Sequence, residues 1–258
     1  MTHAICNQSI VPMRSEASHR SEMVSQLLFG ELCEVVEQHN EWLRIKTEFD
    51  EYSGWVVSVQ LQAIDIFEFQ NIKKKSHFLC YDLVGVLDTA TPFPIVLASS
   101  LPNYDHEKCI ILDKYFYYDG AVKNNVVADH DTKKIVENAL IYLNSPYLWG
   151  GRSPFGIDCS GFTQNVYKLS GIRLRRDACL QAEQGEQVHL LNETQPGDLA
   201  FFENDEGKIT HVGIIISENK IVHASGQVRI DNIDHYGIYN DELKKYSHKL
   251  RMFRRVLS

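Results

Sequence analysis

The chain has 258 residues, 44% hydrophobic and 23% charged, which is enough for one large or two to three small domains with proper cores. A formal net charge of -8 leaves no strongly basic face, so neither nucleic acid nor anionic lipid is an expected partner. The opening MTHAICNQSIVPMRSE lacks a basic segment followed by an apolar run, and no stretch has the apolar length that spans a bilayer, so the expected setting is cytoplasmic, with no membrane partner.

Residues 9–61 read as short strands between polar turns: SIVPMR, LLFGELCEVVEQ, WLRIKT and GWVVSV. Period-two alternation at Leu32, Val35, Leu43 and Ile45, with Gly30 and Gly54 at turns, is the pattern of a small β-barrel. Residues 72–75 carry three consecutive lysines and read as a solvated connector. A second strand-rich stretch, 77–127, is broken by Pro92, Pro94 and Pro102, and its similar texture suggests a divergent copy of the first.

After Asp129 helices come first and strands later, the order of an α+β domain. Asp131 is positioned to cap a helix carrying Ile135, Val136, Ala139, Leu140 and Leu143, stopped by Ser145 and Pro146. A second helix is predicted from about Cys159 to Leu169, with Asp158 as its N-cap and Gly171 as its stop. The strands DLAFFE, THVGIIIS, KIVHASG and QVRID follow. The expected organisation is therefore a β-barrel at 1–70, a divergent second barrel at 71–128 and an α+β domain at 129–258.

Six cysteines lie far apart with no CxxC pair, which fits reduced thiols rather than a disulfide framework or zinc site. Most are expected to be small buried hydrophobes, and no metal or cofactor is expected. Cys159 is different, because the first turn of a helix offers free amides and the positive end of the dipole, which favour a thiolate. Two histidines downstream complete a nucleophilic set if their strands pair. A three-residue loop of Ser217, Glu218 and Asn219, with Asn219 left-handed, sets His223 opposite Gly213. His211 and His223 are then diagonal neighbours on one face, roughly 7 to 8 Å apart at the backbone, with His211 as base and His223 orienting it. A one-residue slip would separate them. Two ordinary strand histidines beside a buried cysteine is the competing reading of these three residues alone.

The ordered blocks PYLWGG (146–151), DCSGF (158–162), RRDACLQ (175–181), QPGDLAFF (195–202), THVGI (210–214) and VHASG (222–226) resemble the NlpC/P60 family of cysteine peptidases. The resemblance implies a papain-like α+β peptidase domain, with the catalytic Cys, His and polar third residue at Cys159, His211 and His223, and with Tyr147 reaching toward the oxyanion. The N-terminal stretch resembles a bacterial SH3 (SH3b) domain. The blocks RSEMVSQLLFGE (20–31) and DEYSGWV (50–56) resemble peptidases that release γ-D-glutamyl from a diamino acid in recycled murein peptides.

That likeness places Glu22 and Tyr52 where relatives hold the free amino group of an N-terminal L-alanine, with Asp158 and Ser160 completing the recognition. It makes Trp149 a cleft wall, and lets Arg176 and Asp177 shape the cleft, although capping and surface solvation explain those two equally. One departure stands out: several relatives carry serine where this chain has Ala178. The implied partner is a murein-derived peptide, with the choice between meso-diaminopimelate and L-lysine, and the oligomeric state, left open. An acyltransferase on the same scaffold and a non-catalytic peptide-binding protein are the alternatives.

Overall fold

The computed structural model describes residues 2–75, 78–125, 128 and 130–256. The chain divides into two compact units, one of Met1–Val127 with Trp149–Pro154, the other of Ala128–Leu148 with Phe155–Ser258.

In the first unit, strands β1 (His3–Cys6), β2 (Ile10–Arg14), β3 (Met23–Leu28), β4 (Leu32–His39), β5 (Trp42–Thr47), β6 (Ser53–Val57) and β7 (Leu61–Ile64) form one sheet in the order β3-β2-β6-β5-β4-β1-β7. Alternation drives the burial, since Val11 and Met13 of β2 and Leu43 and Ile45 of β5 point into a core shared with Ala4, Leu27 and Val56. This is the small all-β domain that the sequence predicts. Gly30 has φ +77, and a Cβ there would lie 2.3 Å from the Ser100 carbonyl oxygen, so the turn after β3 requires glycine.

The connector expected at 72–75 is the last turn of helix α1 (Ile66–Lys75). Asp65 caps it by accepting from the Glu68 amide at 2.8 Å, and Lys73, Lys74 and Lys75 occupy the last turn, where the dipole favours cations. The boundary expected at 70/71 thus falls inside a helix. Phe69 and Ile72, one helical turn apart, are buried in a core that also contains Ile5, Leu32 and Ile64 from the sheet, Phe29 from the turn after β3, and Cys80, Leu87, Ile95, Ile111 and Tyr118 from the following stretch. The lysines alone suggested solvent, but the apolar residues beside them decide the conformation.

Residues 78–125 form three separate two-stranded antiparallel ladders: β8 (Phe78–Cys80) with β13 (Val122–Asn124), β9 (Val84–Leu87) with β10 (Phe93–Val96), and β11 (Lys108–Ile111) with β12 (Lys114–Tyr117). The residues expected to bound this stretch, His77 and Val127, and the expected domain start at Asp129, lie outside the described residues. A two-residue strand, β14 (Arg152–Ser153), also belongs to the first unit.

The second unit contains α2 (Thr132–Ile141), β15 (Gly156–Ile157), α3 (Cys159–Lys168) and α4 (Ala178–Gln181), then β16 (Glu186–Val188), β17 (Leu199–Glu203), β18 (Ile209–Ser217), β19 (Lys220–Ser225), β20 (Gln227–Ile233), β21 (Gly237–Asn240) and β22 (Lys245–Arg255). Its antiparallel sheet runs β16-β22-β17-β18-β19-β20-β21, and β22 also pairs with β21. This is the α+β arrangement, helices first and strands later, that the sequence predicts. Asp131 caps α2 by accepting from the Lys133 amide at 2.9 Å, a contact worth ~1 kcal/mol. Both α2 and α3 pack on β18, and every residue of α3 is buried. No helix among the described residues is long and apolar enough to cross a membrane.

Candidate active site

Cys159 opens α3, as the sequence predicts, because the Asp158 side chain accepts from the Gly161 amide at 2.6 Å and fixes the start of the helix. The side chain is 5% exposed. Burial pushes its thiol up to about 12, and the neighbouring Asp158 carboxylate pushes the same way. The amides of Val212 and Ser160 and the Arg176 guanidinium pull it down without prevailing. Desolvation therefore outweighs the helix terminus, and at neutral pH the resting group is the thiol. The Val212 amide at the sulfur also brings Cys159 to the strand residue that follows His211.

The hairpin of β18 and β19 has the predicted register, with Gly213 opposite His223, but reaches it differently. Ser217 pairs with Lys220 across a two-residue turn, and Ile216 is bulged out of the ladder. Asn219 keeps an ordinary negative φ rather than the left-handed one expected. One residue fewer in the loop and one more in the bulge leave the two histidines on the same face. His211 Nε2 lies 2.8 Å from His223 Nδ1, and both rings are buried.

The chain of contacts continues beyond these two. His223 Nε2 meets Asp231 Oδ2 at 2.9 Å, and Arg229 forms an ion pair with the same carboxylate, its Nη2 donating to Oδ1 at 2.9 Å and its Nε standing 2.8 Å from Oδ2. Burial holds the pKa of His211 well below the ordinary histidine value, with His223 and His248 adding to the effect. Burial lowers His223 as well, against the pull of Asp231. Both imidazoles are therefore neutral at pH 7, and the direction of the chain follows from chemistry. A carboxylate only accepts, so His223 carries its proton on Nε2 and its Nδ1 accepts from His211 Nε2. The remaining nitrogen of His211, Nδ1, is left as the basic one.

Tyr147 is half-buried in a loop tied at both ends. Its amide donates to the Gly226 carbonyl at 2.9 Å, while the Ile157 amide donates to Pro146 at 3.0 Å and the Leu148 amide to Ile157 at 3.2 Å. Burial and the adjacent Cys159 and Asp158 push its phenol up to about 12, so it remains a hydrogen-bond donor throughout the physiological range.

Asp158 and Ser160 are both buried, and both are held by Arg176, which is 1% exposed. Arg176 donates to Asp158 Oδ1 at 3.0 Å, to Asp158 Oδ2 at 2.6 Å and to Ser160 Oγ at 2.9 Å. Surface solvation therefore does not explain Arg176, which instead ties the segment before α4 to the first turn of α3. Asp177 occupies the N-cap position of α4, and Ala178 is buried in its first turn. In the first unit, the exposed Glu22 carboxylate accepts from Trp149 Nε1 at 2.6 Å. Tyr52 is half-buried against the barrel core, its amide donating to Thr47 Oγ1 at 2.9 Å. Among the remaining cysteines Cys6, Cys33, Cys80 and Cys109 are buried as expected, and Cys179 is exposed.

Asp231 and His248 are the residues that sequence reasoning missed. Asp231 had a usable signal: Ser225 pairs with Gln227 around Gly226 (φ +72), which sets Arg229 opposite His223 and Asp231 diagonal to it. His248 had none, because β22 reads as a charged segment, KYSHKLRMFRR, and its place depends on pairing with β17 and β21. Its ring stacks on His211 with centroids 4.0 Å apart and planes at 23°.

The NlpC/P60 family model matches residues 144–248, and that of the bacterial dipeptidyl-peptidase SH3 domain matches residues 13–61. A gamma-D-glutamyl-L-lysine dipeptidyl-peptidase of Bacillus subtilis is 32% identical over 215 residues, covering 78% of this chain and 71% of that protein. Dipeptidyl-peptidase 6 of Lysinibacillus sphaericus is 25% identical over 266 residues, 93% of this chain and 96% of its own. The crystal structure of an NlpC/P60 family protein from Bacillus cereus shares the fold over the whole of both chains, with a TM-score of 0.85 at 20% identity. By its fold and by its likeness to the Bacillus subtilis protein over most of both sequences, the chain belongs to the NlpC/P60 family of cysteine peptidases.

Proposed function

We propose that the protein hydrolyses the γ-D-glutamyl–L-diamino acid bond of murein-derived peptides that carry a free N-terminal L-alanine, with Cys159 as nucleophile. The observation that carries the reaction class is the one-way hydrogen-bond chain from Asp231 through His223 to His211, which leaves His211 Nδ1 as the base. Because the Cys159 thiol is protonated at rest, its proton passes to His211 as sulfur attacks the carbonyl carbon. Asp158 takes the Gly161 and Phe162 amides, and the Cys159 amide, with the Tyr147 hydroxyl, is the donor proposed for the resulting oxyanion. Collapse breaks the C–N bond, His211 returns the proton to the leaving amine, and water then cleaves the thioester.

The substrate class is supported by the name of the Bacillus subtilis relative, a gamma-D-glutamyl-L-lysine dipeptidyl-peptidase, and the Lysinibacillus sphaericus relative is likewise named a dipeptidyl-peptidase. An ammonium taken out of water needs carboxylate and hydroxyl partners, and Glu22 with Tyr52, and Asp158 with Ser160, are pairs that offer them. The setting proposed is the cytoplasm, where the six free thiols stay reduced.

The test is mass spectrometry of L-Ala-γ-D-Glu-meso-diaminopimelate, and of its L-lysine counterpart, incubated with the intact protein and with Cys159→Ala. Release of L-Ala-γ-D-Glu by the intact protein alone is expected. Cleavage by the variant would overturn the nucleophile, and no cleavage by either would overturn hydrolysis in favour of acyl transfer or peptide binding.

A further inference from the structure

We propose that His211, His223 and His248 form a binding site for a divalent cation of the zinc class, and that its occupancy switches the peptidase off. One ring nitrogen from each of the three lies within 4.8 Å of the other two. A tetrahedral centre with metal–nitrogen bonds of ~2.0–2.1 Å sets its ligands about 3.4 Å apart. The 2.8 Å between His211 Nε2 and His223 Nδ1 and the 4.8 Å limit bracket that value, and His248 must turn out of its stack on His211 for the three nitrogens to face one ion. Imidazole is the ligand that suits zinc-class cations, and three protein nitrogens plus a water complete the coordination.

The surroundings match what such a centre needs. With Nδ1 of His223 on the metal, its Nε2–H remains on Asp231 at 2.9 Å, the carboxylate–histidine–metal arrangement that orients a ligand and raises its basicity. Burial keeps all three rings neutral, the form that coordinates. His248 is half-buried and lines an open cavity of about 710 Å³ together with Phe202, Thr210, Asp205, Tyr236 and Tyr246, which gives a cation a route in. Binding displaces the proton that His211 Nε2 shares with His223 and releases it to solvent.

The inhibitory consequence rests on the proposed role of His211, because a metal on its Nε2 replaces the link that leaves Nδ1 basic. Metal binding itself does not rest on that role. The test uses the chelator-treated full chain, titrated with Co²⁺ by visible absorption and with Zn²⁺ by calorimetry, beside Cys159→Ala, His248→Phe and His248→Gln. His248→Phe keeps an aromatic ring on His211 while removing the ligand nitrogen, and His248→Gln guards against a folding defect in the first.

One equivalent of metal should bind to the intact chain and to Cys159→Ala, with affinity at least ~tenfold weaker in both His248 variants. In the peptidase assay, Zn²⁺ inhibition of the intact chain should follow the binding curve and reverse with chelator. The residual activity of the His248 variants should be less zinc-sensitive by the same factor. No stoichiometric binding, binding lost in Cys159→Ala, or undiminished binding in both His248 variants would overturn the proposal. Absence of cleavage by the metal-free protein would instead overturn the peptidase reading and leave the binding result standing.

Discussion

Replacing Asp231 by asparagine tests whether the direction of the hydrogen-bond chain matters. The carboxylate serves two donors, Oδ2 accepting from His223 Nε2 and Oδ1 from Arg229 Nη2, while Arg229 Nε stands 2.8 Å from Oδ2 as part of the ion pair. An amide has one oxygen to offer. If that oxygen turns to Arg229, the amide NH₂ faces His223 Nε2 and forces it to accept. The His223 proton then moves to Nδ1, His211 Nε2 must accept from it, and the His211 proton ends on Nδ1, where the base should be.

If the oxygen turns to His223 instead, the NH₂ faces a guanidinium, at a cost of ~1–3 kcal/mol. Arg229 is 22% exposed and can swing toward Glu242, which softens that penalty. In a serine-protease triad the comparable amide costs about 10⁴ in kcat. One bond further from the nucleophile, and with Arg229 able to yield, the expected loss is about 10²-fold in kcat/KM, or ~3 kcal/mol, carried by kcat. Steady-state cleavage of the tripeptide by liquid chromatography and mass spectrometry measures it, with the melting temperature as a folding control. Activity within threefold of the unchanged protein, in a variant that melts normally, would refute the relay.

Acetylating the N-terminal alanine of the tripeptide should abolish most cleavage by removing the ammonium, and equal cleavage of acetylated and free peptides would sink the amine-recognition proposal. His211, His223 and His248 all have folded pKa values below the ordinary 6.5, so between these values the unfolded chain binds protons that the folded chain refuses. Stability should therefore be complete above pH ~6.5 and fall as the pH drops, with His248, at about 4, contributing up to ~3 kcal/mol of the loss. A melting temperature that stays flat from pH 7.5 to 4.5 would contradict this. Arg152→Met removes the partner of Glu31 from a bidentate pair at 2.8 and 2.9 Å, with side chains 3% and 5% exposed. The expected cost is ~3–5 kcal/mol in denaturant unfolding, and a loss below ~1 kcal/mol would show the pair to be dispensable.

What was legible in the sequence was local or governed by a two-residue period. The caps at Asp131 and Asp158 and the register of His211 against His223 follow from short-range rules, and the register survived even though the loop and bulge were misassigned. The nature of residues 72–75 was not legible, because Phe69 and Ile72 find their partners in strands far away in the chain. The state of Cys159 was read from its helix terminus alone, whereas burial, which depends on the whole second unit, sets its protonation. Arg176 and His248 were obscured for a related reason. A charged residue gives no periodic signal of its own burial, and only the folded partners, Asp158 for one and His211 for the other, reveal it.

Trp149–Pro154 belongs to the first unit although the residues on both sides of it belong to the second. Within those six residues Arg152 pairs with Glu31, its amide donates to Gln26 Oε1 at 2.7 Å, and Gly150, at φ +75, leaves no room for a Cβ against the Met23 carbonyl. A fragment cut at residue 130 would therefore carry a buried arginine without its carboxylate. Residues 149–154 are thus part of the first unit's own packing, and a lineage that replaced the rest of that unit would have to rewrite this hexapeptide in the same step.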